Sequence, residues 1–425
     1  MFEAPMSPES SVERREAQAA PSTVAAPKNQ DVALPCFDGL RAVALTLVFG
    51  YHAFILLRPT AFGAGARLWW SQSGTTALTM FFVISGCLLY RPFVLAHFES
   101  RRPPRGGAFL KRRFARIFPA YWLALSVSVY GLGIYTIQNF GDFATLYALV
   151  QNYRVGYLKA GLNVSWTLVI EVAYYISLPL LAWMLRWPSR NATALKRKFI
   201  VQLVGLSAVY LGVHALRAFL LWSERPETGP YGSWFSWQRF LVYPLSYYDW
   251  LALGMILAVV SAWIAVGQGL PAWIESLGKR PWLSWLLAIA VYWLIVCLGI
   301  TPTSNSPART MGLVFLQGVV AWFVVLPGVI GPQDRGLIRG FLRSRVMGVL
   351  GAISYGVYLW HLTFLKKTGE WTSAGYISDN ILVELVVAVG LTVGAAAISY
   401  YAMELPLIHW AQSKRSKTPG PSSGM

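Results

Sequence analysis

Ten stretches of about 20 mostly apolar residues run through this chain, each long enough to cross a bilayer as a helix. They lie at 39–58, 74–96, 117–137, 164–186, 199–222, 240–264, 281–300, 310–330, 346–365 and 381–403. The expected fold class is an all-α polytopic membrane protein with about ten transmembrane helices. Composition agrees: 13% of the 425 residues are charged, 56% are hydrophobic and the mean hydropathy is +0.48. Soluble domains average about 25% charged residues. The net charge of +18 does not point to nucleic acid, because 19 Trp, 22 Phe and 21 Tyr sit largely in the apolar runs. A soluble enzyme and a disordered chain are excluded on the same grounds. Cys36, Cys87 and Cys297 are too widely spaced for a disulfide framework or a zinc site, so no metal is expected.

Basic residues in short loops set orientation. With the N-terminus inside, 25 of the 36 Lys and Arg fall in cytoplasmic segments and 9 in outer loops; Arg41 and Arg217 lie within spans. Both termini are therefore expected in the cytoplasm, and the location is the cell membrane, multi-pass. Residues 1–34 are rich in Ala, Pro, Ser, Glu and Gln and read as a disordered tail, as do 411–425. Residues 35–410 form the membrane domain, in contact with membrane lipids.

Ionisable side chains inside spans are costly and mark candidate functional sites. Arg41 and His52 are the sharpest pair. Eleven residues at 100° each return to within about 20° of the same face, and they separate the two along the axis by about 16 Å. Arg41 is expected at the cytoplasmic end and His52 in the outer half. The plainer readings are a snorkelling arginine and a buried imidazole bonded to a carbonyl. Glu171 sits two turns into its span and needs a partner or a proton; an ion pair with Arg217 is the structural expectation. Asp249 and Glu384 read as ion-pair residues, His214 as packing, and Glu404 as a cap or an ion pair with inner loops. His361 follows Ser354, Tyr355 and Tyr358 and is expected in an outward-facing polar cluster. In FLKRRFARIFPAYW (109–122), apolar and basic residues alternate as in an interfacial helix. Arg113 and Arg116 share one face there and can bracket a phosphate, although positive-inside topology alone would explain the bases.

Six motifs in chain order carry a resemblance. FDGLRAVALTLVFGYHA (37–53), MFFVISGCLLY (80–90), RRFARIFPAYW (112–122), NVSWTLVIE (163–171), ISYGVYLWH (353–361) and MELPL (403–407) resemble the signatures of the acyltransferase-3 family of integral membrane acyltransferases. Two positions depart from that pattern. Thr167 stands where a serine is expected, keeping the hydroxyl, and Val172 stands where an acidic residue is frequent.

The resemblance implies an O-acyltransferase of the bacterial inner membrane. It would move an acyl group, acetyl in most relatives, from cytoplasmic acyl-CoA to a hydroxyl at the outer side. The acceptor would be a glycan, a glycolipid or a secreted small molecule. Acyl-CoA is a donor substrate, and no permanently bound cofactor is expected. His52 is the expected base, with Arg41 and Glu171 completing the catalytic group. Arg41, Tyr358 or backbone N–H groups would stabilise the oxyanion. A covalent acyl-His52 intermediate is an alternative route. Arg113 and Arg116 would bind CoA, and Trp166, Ser354, Tyr358 and His361 the substrate. Some relatives carry a fused extracytoplasmic esterase-like domain; here the membrane domain, with or without separate partners, is expected to complete transfer. A transporter or flippase using His52, Glu171 and His361 as a proton relay is the competing reading. It calls for internal repeats and broken helices, neither of which the sequence suggests.

Overall fold

The computed structural model describes residues 34–57, 64–154, 156–223, 243–299 and 306–413. Residues from Leu34 onward form one compact unit. The tail expected at 1–34 lies outside the described residues except for Leu34, as do 414–425 of the second tail and 240–242 of the sixth expected span.

Among the described residues the chain is helical, without strands. The helices are α1 (Phe37–Leu56), α2 (Ala64–Phe98), α3 (Gly106–Ser126), α4 (Phe140–Tyr147) and α5 (Trp166–Arg186). They continue as α6 (Leu195–Ser223), α7 (Tyr248–Ala265), α8 (Ala272–Lys279), α9 (Pro281–Cys297) and α10 (Pro307–Val325). The last are α11 (Leu337–Leu342), α12 (Arg345–Ala352), α13 (Ser354–Ser373), α14 (Ile381–Ser399) and α15 (Leu405–Ser413).

Seven described helices are long and apolar enough to span a membrane, and two bent pairs, each taken as one span, bring the number to nine. The expected stretch at 117–137 is not among these nine, because its helix also carries the basic residues. There α3 carries the basic residues 111–116, passes Pro119, and runs into a π-turn at Val127–Gly131. Its apolar part is short, and its far end serves as a dock. Tyr121 donates to the Leu146 carbonyl (2.7 Å) and Trp122 to that of Tyr147 (2.9 Å), which ties α4 and its loop onto α3. Within that loop Asp142 accepts from Tyr157 (2.5 Å) and Arg154 (3.1 Å). The Tyr157 hydroxyl holds the Asp142 carboxyl below the usual carboxylate range.

The two bent pairs correct the expectation of unbroken spans. Helices α8 and α9 meet at 90° and α12 and α13 at 69°. The first break falls at Arg280, held out of the helical region (φ −121°, ψ 67°) by the proline that follows it. The second falls at Ile353, after which the Ser354 hydroxyl donates back to the Gly351 carbonyl (2.7 Å).

Glycines set two close helix contacts. A Cβ on Gly86 would strike the Leu251 carbonyl and one on Gly254 would strike that of Val83, so α2 and α7 touch backbone to backbone. Likewise Gly39 lies on Leu342 and Gly351 on Asp38, which fixes the start of α1 between α11 and α12. Two buried clusters build the core. One gathers α1, α2, α5, α7 and α10; the other gathers α3, the 132–165 segment and α13. Phe81, Phe118, Val172 and Tyr355 pack against both and mark the seam between them.

Arg217 pairs with Asp249 (2.6 Å), both almost fully buried, and not with Glu171 as the sequence reading expected. His214 joins them, its Nδ1 3.4 Å from Asp249, so it takes part in a polar cluster and is more than packing. Removing one partner of a buried pair costs about 3–5 kcal/mol, because the other charge is left uncompensated. Asp249→Ala is expected to lower the melting temperature in detergent sharply, and Asp249→Leu combined with Arg217→Leu to recover most of the loss. Equal losses in the single and double variants would count against this account.

Candidate active site

The α1 and α13 helices run side by side and bring His52 and His361 into contact. His361 is fully buried. Its Nδ1 lies 2.7 Å from the Tyr358 carbonyl and 3.3 Å from that of Val357. Its Nε2 lies 3.1 Å from Nδ1 of His52, which is also 3.0 Å from the Val48 carbonyl. A carbonyl oxygen only accepts, so each Nδ1 carries the proton. His361 Nε2 is then the acceptor for the His52 N–H, and the Nε2 of His52 keeps its lone pair. The partners thus assign both tautomers and leave one basic nitrogen on the half-buried ring. The edge of Tyr51, at 4.8 Å between centroids, and the Phe49 ring against His361 complete the packing.

One turn back along α13, Tyr358 touches the His361 ring (5.7 Å between centroids) and lines a cavity of about 300 Å³. This cavity lies on the seam between the two cores. Arg41, Arg113, Arg116 and Glu171 gather in its lining, which also includes Phe81 and Tyr358. The charges bearing on Glu171 are Arg116, Arg41 and Arg113, and its carboxylate accepts from the Tyr175 hydroxyl (3.0 Å). Within the cavity lining three guanidinium groups face one carboxylate, while Asp38 pairs with Arg41 and Glu404 bears on Arg116 from beside it. Arg113 lies against the Phe109 and Tyr175 rings, and its buried Nε has no hydrogen-bond partner among the described residues. An unpaired buried donor beside other cations suits an anionic ligand.

Several expected placements change. Glu171 stands with the arginines and Tyr175 and does not reach the His52 imidazole; the ring partner of His52 is His361. Arg41 pairs with Asp38 (2.6 Å) and lines the cavity. On one continuous helix, eleven residues hold it about 16 Å from His52 along the axis, as the spacing predicts. His361 is buried against His52, so the polar group it belongs to is a histidine pair. Trp166 packs on Tyr247 (5.9 Å), and the residue that enters the cavity beside it is Thr167. Ser354, Tyr358, Arg113 and Arg116 line the cavity. Tyr175 and Phe81 were not singled out by sequence. Tyr175 lies four residues after Glu171, the helical spacing that would have signalled it.

A family model described as an acyltransferase domain matches residues 34–404. The peptidoglycan O-acetyltransferase OatA of Listeria monocytogenes is 24% identical over 397 residues, covering 88% of this chain and 56% of the relative. The O-acetyltransferase OatA of Staphylococcus aureus is 22% identical over 393 residues, covering 88% and 57%. The chain thus spans little more than half the length of these relatives. No solved structure matches it. With its apolar helices, the family match makes the chain a multi-pass protein of the cell membrane.

The tautomers are open to direct measurement. In protein labelled with ¹⁵N-histidine, both His52 and His361 are expected to show protonated Nδ1 and bare Nε2, and His361→Ala to shift the His52 Nδ1 resonance while the Val48 carbonyl keeps the proton there. A protonated Nε2 on His52 in the unaltered protein would overturn the assignment.

Proposed function

The chain belongs to the family of acyltransferase domains, and from that premise we propose that it is a membrane-embedded O-acyltransferase moving an acetyl group from acetyl-CoA to a carbohydrate hydroxyl. The observation that carries the reading is a cavity lined both by three arginines and by Tyr358, the tyrosine in contact with His361. The relatives' printed names support an O-acetyl group and, for one of them, peptidoglycan as acceptor. A cell-wall or related glycan is the acceptor class proposed here.

In this reading the CoA phosphates lie against Arg41, Arg113 and Arg116, where planar forks suit phosphate oxygens. Glu171 and Tyr175 keep those forks in place. The pantetheine arm fills the cavity and carries the thioester toward Tyr358 and His52. Nε2 of His52 takes the proton of the acceptor hydroxyl as its oxygen attacks the thioester carbonyl. The tetrahedral intermediate collapses with cleavage of the carbon–sulfur bond, and the leaving thiolate takes the proton from His52. His361 holds His52 through Nδ1 throughout, a positioning role rather than contact with substrate. By the distribution of bases, the arginine end faces the cytoplasm, with both termini, and His52 faces the acceptor side.

The first test is mass spectrometry of cell-wall glycans and glycolipids from cells with the gene, without it, and with His52→Ala. An acetyl group present only with the unaltered gene is expected. General-base catalysis contributes about 10²–10⁴-fold, so acetylation by His52→Ala above about a tenth of normal would reject the base assignment. The second test is acetyl-CoA binding by the purified chain. A charge-assisted contact is worth about 1.5–3 kcal/mol, so Arg113→Ala or Arg116→Ala should raise Kd roughly 10–150-fold. Arg101→Ala and Arg102→Ala, which lie outside the cavity, should leave it nearly unchanged. Equal small losses in all four would reduce the arginines to a diffuse positive field.

A further inference from the structure

We propose that Tyr358, pinned by Thr167 and backed by Phe81, sets the length of the acyl group that the cavity admits. This rests on the acyl-CoA reading of the cavity and adds to it a residue that chooses among donors. Three observations converge on Tyr358. Among the lining side chains it is the one in ring contact with His361, so it is the last that a thioester meets before the histidine pair. Its ring sits edge-on to Phe81 (6.2 Å between centroids, 62°), closing the space between α2 and α13. Its hydroxyl lies 2.6 Å from the Thr167 hydroxyl and 3.1 Å from the Val164 carbonyl, both at the start of α5.

Those two hydrogen bonds tie α13 to a segment about 190 residues away in sequence and hold the ring in one rotamer. Swinging the ring aside means breaking both. A two-carbon group on the thioester needs little room beyond the carbonyl. A longer chain must lie where the Tyr358 and Phe81 rings meet. The rest of the cavity offers no relief, because about 300 Å³ is at the bottom of the roughly 300–1,000 Å³ range of ligand pockets and the pantetheine arm must also fit there. Thr167 bears on this point, since a hydroxyl at that position is what keeps Tyr358 from yielding.

The test reads a ratio, which a tyrosine of merely structural value would not move. The full chain in detergent is titrated with acetyl-CoA, butyryl-CoA and hexanoyl-CoA, unaltered and as Tyr358→Ala, Phe81→Ala and Thr167→Val. A single methylene against a filled pocket discriminates by roughly 10–200-fold, so the unaltered protein should favour acetyl-CoA over butyryl-CoA by at least about tenfold. Tyr358→Ala and Phe81→Ala should shrink that preference by about tenfold or more, and Thr167→Val should move it in the same direction by less. Equal affinity of the unaltered protein for all three thioesters, or ratios unmoved in the variants, overturns the proposal. Should Tyr358→Ala not accumulate, Phe81→Ala and Thr167→Val decide it by themselves. An unaltered chain that binds none of the thioesters rejects the donor reading instead, a result distinct from an unmoved ratio.

Discussion

The rigidity of one helix governs the site. Because α1 is continuous from Phe37 to Leu56, the cation at Arg41 and the base at His52 are held about 16 Å apart on nearly one face. That length is a structural ruler. It separates the place where a polyanionic head is held from the place where a proton is taken, and it requires the substrate to bridge the two. The start of the ruler is fixed because Gly39 and its neighbour Asp38 lie directly on the backbones of α11 and α12. Its other end is held against α13 by the contact of His52 with His361.

Around that ruler, the cavity exists because the two cores do not close on each other. Phe81, Phe118, Val172 and Tyr355 serve both and leave a space between them. The backbone contact of α2 with α7 at Gly86 and Gly254 fixes the wall that carries Ser85, Phe81 and Phe82 into the cavity. A side chain at either glycine would push that wall outward, so these residues shape the site without touching a ligand. The bend before Ser354 acts in the same way. It redirects α13 so that Ser354, Tyr355 and Tyr358 line the cavity and His361 continues to His52.

Much of this was legible in the sequence, for identifiable reasons. The apolar stretches, the shared face of Arg41 and His52, and the shared face of Arg113 and Arg116 all follow from local periodicity, which a single chain displays. Partnerships across helices do not follow from it. Glu171 was matched to Arg217 because both are charges in apolar surroundings, yet each found a different partner, Arg217 at Asp249 and Glu171 among the cavity arginines. The meeting of His361 with His52 was within reach. Both were expected toward the outer ends of parallel spans, and equal depth is a signal the spacing contains. The bend at Ile353 was harder to foresee, because no proline marks it. The bend at Arg280 carried its proline in plain view.

The histidine pair also explains why the carboxylate is elsewhere. In a triad a carboxylate orients the imidazole and balances the charge it acquires. Here a neutral imidazole orients His52 while the carboxylate stays with the arginines. A neutral partner fixes the tautomer and supplies no counter-charge, so an imidazolium formed at His52 in apolar surroundings must be discharged quickly. A thioester suits that restriction. Its thiolate leaves readily and accepts the proton in the same encounter, so the charge is short-lived. An amide or an ordinary ester, whose leaving group departs less easily, would keep the ring charged for longer. Glu171 placed beside His52 would ease that burden, but it would also take away the one carboxylate that faces Arg41, Arg113 and Arg116 together when no anion is bound. The division observed, with the charged groups together at one end and the neutral pair at the other, lets the protein rest without an isolated buried charge at either place.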